Sequence, residues 1–329
     1  MKILFDVDHC FAWAHGGVQN LVENLMKNLP NHGIEVEPLK WWDKDQKGDI
    51  IHTLYRPGSI FNLARNKGIK IVCSLFLDSF SSRSAFDLLL RKYYMGLFKK
   101  LLRDNSAELG WKYGEIADAY IYHSQHEANL GNYLFNADLK KSYVSLYGVE
   151  KKYFSNYTEK RESDYLISIN TIHPRKNNIQ LAKLAKITKI PIKFIGKPYS
   201  QDEYFDNFIS MVDNKYVFYE GYVSDDLKIK FLMESRGMVT LSKVESGCIA
   251  VLESFASNCP VFLPDLAWAK SIYDGYASFG NIKNESKLAI QLTKFYNNPY
   301  ENFKKYPVKD WDTASLDYVE IYKKILNHK

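Results

Sequence analysis

A chain of 329 residues, 46% apolar and 25% charged, has the length of two ordinary domains and the profile of a folded protein, with no run of about eighteen apolar residues to mark a membrane span. Its four cysteines, Cys10, Cys73, Cys248 and Cys259, are scattered without a CxxC pair, which suggests neither a disulfide framework nor a structural zinc site and fits a reducing cytosol. The net charge of +6 is mild but uneven: within residues 83–103, Arg83, Arg91, Lys92, Lys99, Lys100 and Arg103 stand against one acid, Asp87.

In chain order, the first strand is read at KILFDV. Asp6 and Asp8 interrupt its apolar run too early for a signal peptide, and Gly16-Gly17 precede the helical pattern VQNLVENLMKNL. Strands follow at GIEVEPL, DIIHTLY, KIVCSLFL, DAYIYHS and SYVSLYG, with a helical run, SAFDLLLRKYYMGLFKKLL, after KIVCSLFL. A polar, irregular stretch covers residues 150–160. The alternation then restarts with DYLISIN, a helix from about Asn178 to Ile187, PIKFIG, YVFYEGY, the helix DDLKIKFLMESR, GMVTLS, a helix at about Ile249 to Ser257, and CPVFLPD. This order predicts an α/β fold of two Rossmann-like, doubly wound units in tandem. Ligands of open parallel sheets bind beyond the carboxyl ends of the strands, so two such units facing each other would enclose a central cleft.

Two carboxylates at the end of a first strand can hold magnesium, whereas a glycine pair before a helix can hold phosphate through backbone N–H groups. The FDVD segment resembles the start of a haloacid-dehalogenase-type phosphatase, which would make Asp6 and Asp8 a metal-dependent hydrolytic pair. That family needs a further acidic pair. The later candidate at a strand end, Asp225-Asp226, opens a helix and reads as its N-cap and first turn. Two solvated loop carboxylates are the simpler expectation.

The segment ESGCIAVLESFASNCPVFLPD carries more chemistry. Glu245 and Glu253 stand eight apart, the second on a helix whose start, at Ser246, Gly247, Cys248 and Ile249, would present unpaired N–H groups to an anion with little side chain in the way. This pattern resembles the family-four retaining glycosyltransferases of the GT-B fold, whose hallmark is a pair of glutamates separated by seven residues. The resemblance implies that Glu245 contacts the donor sugar and Glu253 the ribose of the nucleotide. Three more segments match in the same order: GGVQNLVENL, implying Gly16 and Gly17 on the donor diphosphate; ISINTIHPRKNN, implying Lys176 and Arg175 on the same diphosphate; and YVFYEGYVSDDLKIKFL with VTLS, implying the base pocket. The closing run WDTASLDYVEIYKKIL is similar to the family's last helix. Domains are then expected at 1–155 (acceptor side), 156–310 (nucleotide-sugar side) and 311–329 (a helix returning to the first domain).

Departures accompany the match. An arginine usual five residues before the lysine is Thr171, with Arg175 available to compensate. A histidine usual after the fourth strand is replaced by the run Phe76, Leu77, Asp78, which leaves His15 and, less favoured, His52 as nearby candidates. An asparagine near the domain join is Tyr147.

The expected activity is transfer of a sugar, from a UDP-sugar first and a GDP-sugar second, with retention of configuration and with no metal or cofactor. Acceptors expected are a saccharide or lipid-linked glycan, with a nucleic-acid acceptor less favoured and a non-catalytic nucleotide-sugar binder as a further alternative. In residues 83–103, Phe86, Leu90, Tyr93, Leu97 and Leu101 fall at three- and four-residue spacing, and Lys92, Lys99 and Arg103 on another side. The plain expectation is a core-facing helix with a solvated basic back; the alternatives are a surface for anionic lipid or a groove for a phosphorylated acceptor. A cytoplasmic protein is expected, with peripheral membrane contact through this segment as the open variant.

Overall fold

The computed structural model describes residues 1–7, 16–54, 60–101, 116–154, 163–301 and 303–327, so the expectations placed on Asp8, His15 and Arg103 lie outside the described residues. The chain divides into two units, Met1–Gly148 with Lys309–Lys329, and Val149–Val308. No described helix is long and apolar enough to cross a membrane.

Unit 1 is built on a parallel sheet of β1 (Lys2–Asp6), β2 (Glu35–Pro38), β3 (Ile50–Thr53), β4 (Lys70–Ser74), β5 (Ala119–Tyr122) and β6 (Ser142–Val144), in the order β2-β1-β3-β4-β5-β6. Register runs Ile3 to Ile50 to Lys70 across its middle. β3 and β5 are buried along their whole length, as in strands covered on both faces, and the sequence of β5, AYIY, reads accordingly as an apolar run. Burial includes His52. Its Nδ1 lies 2.6 Å from the Tyr322 hydroxyl and its Nε2 2.8 Å from Ser74 Oγ, so this imidazole is satisfied on both sides and serves the core.

Tyr322 belongs to the helix Trp311–Asn327, which buries Trp311, Ala314, Tyr318 and Tyr322 at helical spacing and rests on the helix Gly17–Asn28. Where β6 leads out of the unit, a Cβ on Gly148 would come within 2.6 Å of the Trp311 Cα, so only glycine lets the two segments pass.

One expectation for unit 1 is overturned. On the helix Ala85–Leu101 the stripe Phe86, Leu90, Tyr93, Leu97 and Leu101 does not face the core: all five are exposed, Phe86, Tyr93 and Leu101 by 69% each. The core is met instead by Leu88 and Met95. Of the basic back, Lys92 is exposed, with its Nζ 4.0 Å from the centre of the Tyr133 ring, and the Lys99 side chain lies outside the described residues; beside it the Arg91 guanidinium sits 5.8 Å from the centre of the Phe80 ring. The helix is apolar on two sides, and long basic stems lying over rings let the second stripe turn inward.

Unit 2 repeats the scheme with β7 (Leu166–Ile169), β8 (Ile192–Ile195), β9 (Val217–Tyr219), β10 (Gly237–Val239), β11 (Val261–Pro264) and β12 (Ser278–Gly280), all parallel, in the order β12-β11-β10-β7-β8-β9. The helices Asn178–Thr188 and Ile249–Ala256 fall close to their expected places. The helix Asp225–Glu234 is capped by Ser224, whose Oγ accepts the Leu227 N–H at 3.3 Å, so Asp225 lies in the first turn and is not the N-cap.

A second buried imidazole in unit 1 carries a pH consequence. His123, just after β5, is stacked between Phe76 and Tyr147 with ring centres 5.0 and 4.3 Å away, and neither ring nitrogen has a hydrogen-bond partner. The nearby Glu127 carboxylate accepts the backbone N–H groups of Leu77 and His123. Burial pulls both His52 and His123 down to about 3 from the ordinary 6.5. The unfolded chain therefore takes up these protons first. Their contribution is complete above about pH 6.5 and is lost on acidification at about 1.4 kcal/mol per pH unit for each histidine. His123→Phe is expected to keep neutral-pH stability and to make the loss between pH 7 and 5 shallower by about 2 kcal/mol, read from amide-exchange protection of β5. An unchanged acid slope would show that His123 does not titrate in this way.

Candidate active site

In unit 2 the strand order reverses between β7 and β10, and the segments leaving these neighbouring strand ends diverge. Such a switch point is where an open parallel sheet leaves room for a ligand. Asn170, next after β7, is buried and donates from Nδ2 to Thr240 Oγ1 at 3.3 Å, tying the two strand ends together. Gly196, after β8, packs so closely that a Cβ would meet the Asn170 carbonyl oxygen at 2.0 Å.

After β7 the chain makes a short 3-10 turn, Pro174–Lys176, capped by His173, whose Nδ1 accepts the Arg175 N–H at 3.1 Å. His173 in turn donates its own N–H to Asn178 Oδ1. This locked turn carries Arg175 outward and brings Lys176 to the loop after β10. The Arg175 carbonyl accepts the Lys243 N–H at 2.8 Å, so the two loops are joined through their backbones.

Lys176 and Glu245 meet there as a buried pair, Nζ donating to Oε1. The same carboxylate oxygen accepts the Ser242 hydroxyl at 2.5 Å, and the Ser242 carbonyl accepts Trp268 Nε1–H at 3.0 Å. A buried ion pair is tolerated only with such added hydrogen bonds. Beyond Glu245 the backbone turns through two left-handed residues, Gly247 with φ +109° and Cys248 with φ +50°, and the Tyr273 hydroxyl donates to the Gly247 carbonyl. Burial and the nearby Glu245 push the Cys248 thiol up to about 12, so it packs rather than reacts.

The helix Ile249–Ala256 then begins with no side-chain cap and no acidic residue in its first turn, while Ile249 is only partly buried. An uncapped N-terminus of this kind attracts an anion. Within the helix, Glu253 is buried, its carboxyl raised by desolvation, with Lys228 Nζ 3.1 Å from Oε1. Lys228 also approaches Asp225 at 3.4 Å, and Lys152 pairs with Asp225 at 2.8 Å. Sequence reasoning passed over Lys228: its three-residue spacing from Asp225 was visible, but nothing along the chain linked it to Glu253.

Lys176, Arg175, Glu245, Ser246, Gly247, Cys248 and Ile249 are thus gathered at one switch point, with Glu253 on the helix that follows. Gly16 and Gly17 belong to unit 1. Gly16 is the exposed N-cap of the helix Gly17–Asn28; its backbone is extended, and a Cβ there would meet nothing within 4 Å. Asp6 ends β1 half-buried. Among the described residues no group of three acidic, histidine or cysteine side chains is placed to hold a metal.

No family model matches the chain, and no curated protein matches its sequence. Solved structures do. Sucrose-phosphate synthase (tll1590) from Thermosynechococcus elongatus is 13% identical over 100% of both chains, with a TM-score of 0.73. A glycosyltransferase from Rickettsia africae is 15% identical, covering 100% of this chain and 99% of its own, at 0.68. Anabaena Alr3699/HepE, solved with UDP and glucose, is 13% identical over 99% and 98%, at 0.66. The two parallel six-stranded sheets with their helices therefore have the GT-B fold, shared here with glycosyltransferases.

The Lys176–Glu245 pair sets a stability expectation. Lys176→Ala should cost about 3 kcal/mol in unit 2, because it strands a buried carboxylate. Lys176→Ala combined with Glu245→Ala should cost less than the sum by more than about 1 kcal/mol. Urea unfolding of the four proteins measures this coupling, and a value near zero would mean that the two charges do not depend on each other.

Proposed function

We propose that this chain is a metal-independent glycosyltransferase that moves a sugar from a nucleoside diphosphate to a hydroxyl of a saccharide or lipid-linked glycan with retention, a UDP-sugar being the first choice of donor and a GDP-sugar the second. The observation that carries the reading is the Lys176–Glu245 pair beside the uncapped helix Ile249–Ala256 at the switch point of unit 2. The UDP and glucose bound to Alr3699/HepE, a protein of the same fold, support the choice of donor.

The chemistry follows from charge. The bond between the anomeric carbon and the diphosphate oxygen breaks, the acceptor oxygen bonds to that carbon, and the acceptor proton passes to the departing phosphate. One further negative charge develops on the diphosphate as it leaves, and fixed positive groups lower that cost. Lys176, Arg175 and the N–H groups at Ile249 supply them. Without donor, Lys176 is held by Glu245; an arriving diphosphate competes for the ammonium, and the freed Glu245 carboxylate becomes an acceptor for sugar hydroxyls. Glu253 is assigned to the ribose, with Lys228 on its Oε1 and the Tyr153 hydroxyl beside the carboxylate. The phosphatase reading gains nothing from Asp225, which is engaged by Lys152 and Lys228.

UDP is expected to raise the melting temperature in the presence of a chelator, because a ligand bound to the native state stabilises it by mass action. No shift with any nucleoside diphosphate at millimolar concentration would overturn the donor site. Glu253→Ala should weaken UDP binding by about 1–3 kcal/mol, whereas Glu245→Ala should act mainly on turnover of the sugar donor; donor hydrolysis and calorimetry separate the two, and binding without turnover in the wild type would leave a nucleotide-sugar binder.

Gly16 offers an independent test of the diphosphate assignment. Since the fold has room for a side chain there, Gly16→Val should change stability by no more than about 1 kcal/mol yet reduce UDP affinity. Unaltered affinity would remove Gly16 from the donor site.

A further inference from the structure

The helix Ala85–Leu101 turns a long apolar stripe to solvent, which is an unusual state for a packed helix. Phe86, Leu89, Leu90, Tyr93, Leu97 and Leu101 lie within less than half of the helix circumference at about 100° per residue, and each is at least 39% exposed. Tyr94 extends the stripe at its edge with 54% exposure. Together they present on the order of several hundred Å² of apolar surface, more than a soluble monomer usually leaves open in one patch. The opposite side, through Leu88 and Met95, already holds the helix to the core. The stripe is therefore surplus to folding.

Charge decides what covers it. Asp87 is the single acid among residues 83–103 and is engaged by Arg83 at 2.7 Å and Arg91 at 3.3 Å, so no free carboxylate opposes an anionic partner. Lys100 is exposed and, at about 100° per residue, falls within the arc of the stripe between Leu89 and Tyr93. A second copy of the chain, paired through the same face, would set this cationic segment against itself. A nucleic acid would need cations where phenylalanine, leucine and tyrosine stand. An anionic bilayer fits both properties: its acyl boundary takes the apolar side chains, and its phosphates take the Lys100 ammonium, which a long stem can carry out to the headgroups. With 17 residues and one exposed apolar face, the other being packed on the core, the helix lies in the interface and does not span.

We infer that the helix Ala85–Leu101 is a docking surface for an anionic lipid bilayer, seated flat with Phe86, Leu90, Tyr93 and Leu97 in the acyl boundary. The inference stands apart from the glycosyltransferase reading, since it needs neither donor nor acceptor. It is carried by the exposed apolar stripe; Lys92, packed over Tyr133, contributes to the fold.

The test is co-sedimentation of the full chain with vesicles of phosphatidylcholine alone and of phosphatidylcholine containing about one third phosphatidylglycerol. The wild type should partition onto the anionic vesicles at least tenfold more strongly than onto the neutral ones, and less so as salt rises and screens the cations. Leu90→Ser combined with Leu97→Ser should lower this partition at least tenfold with an unchanged melting temperature, since both side chains are exposed, and Lys100→Glu should lower it several-fold. Sedimentation equilibrium without lipid accompanies the measurement. Equal partition onto both vesicle types, no partition onto either, or a dimer that the double serine variant dissolves would each overturn the inference.

Discussion

In unit 2 the sheet grows outward in both directions from β7 and β10, and the segments that leave these two strand ends must part because their next strands lie on opposite sides. What unit 2 offers the donor depends on that divergence. Two loops part over strand ends whose polar groups meet no further strand, and the gap they leave is lined by whatever side chains can be satisfied there. Asn170 and Thr240 satisfy each other across it, His173 and Asn178 stiffen one loop, and the turn through Gly247 and Cys248 stiffens the other. Lys176 and Glu245 are held by this frame in a place where burial makes their charges strong and costly to separate. A charge held in this way is already oriented when a ligand arrives, which is how a binding site lowers its own cost of ordering.

Much of this was legible along the chain, for a reason rooted in the architecture. Strands covered on both faces are mostly apolar, so segments such as LISI and AYIY announce themselves, and alternation with helices fixes a parallel sheet. The spacing of Glu245 and Glu253 and the order of the glycine pair, Lys176 and the glutamates carried the resemblance. Less legible were the contacts made by folding. Lys228 reaches Glu253 across 25 positions and His52 reaches Tyr322 across 270, and no local pattern encodes either meeting. β12 escaped because its three residues, Ser278–Gly280, hold one apolar side chain between a serine and a glycine. The helix Ala85–Leu101 misled because apolar residues flank it on two sides, and only the packing against its neighbours selects Leu88 and Met95 as the inward pair.

The departures from the resembled pattern also acquire physical content. Phe76, in the run that replaces the family's usual histidine, and Tyr147, in place of its usual asparagine, enclose the His123 ring between them, so two departures that look separate in the sequence meet in one stacked aromatic unit. Such a stack supplies packing and takes no proton at neutral pH. Unit 1 thus has buried histidines at β3 and after β5, one bonded at both nitrogens and one at neither, and both act as neutral parts of its core.

The helix Trp311–Asn327 belongs to the same unit as residues 1–148, although unit 2 separates them in the chain. During synthesis the ribosome delivers β1 to β6 long before it delivers Tyr322 and Trp311. At about 5–20 residues per second the wait is on the order of 10 s. Throughout it, the first sheet has no partner for His52 Nδ1 and no cover for the close approach at Gly148. Unit 2, contiguous in the chain, can fold as soon as it emerges, so the N-terminal half is the last to be finished. A nascent chain stalled before Trp311 would expose an incomplete first unit to chaperones while carrying a complete second one.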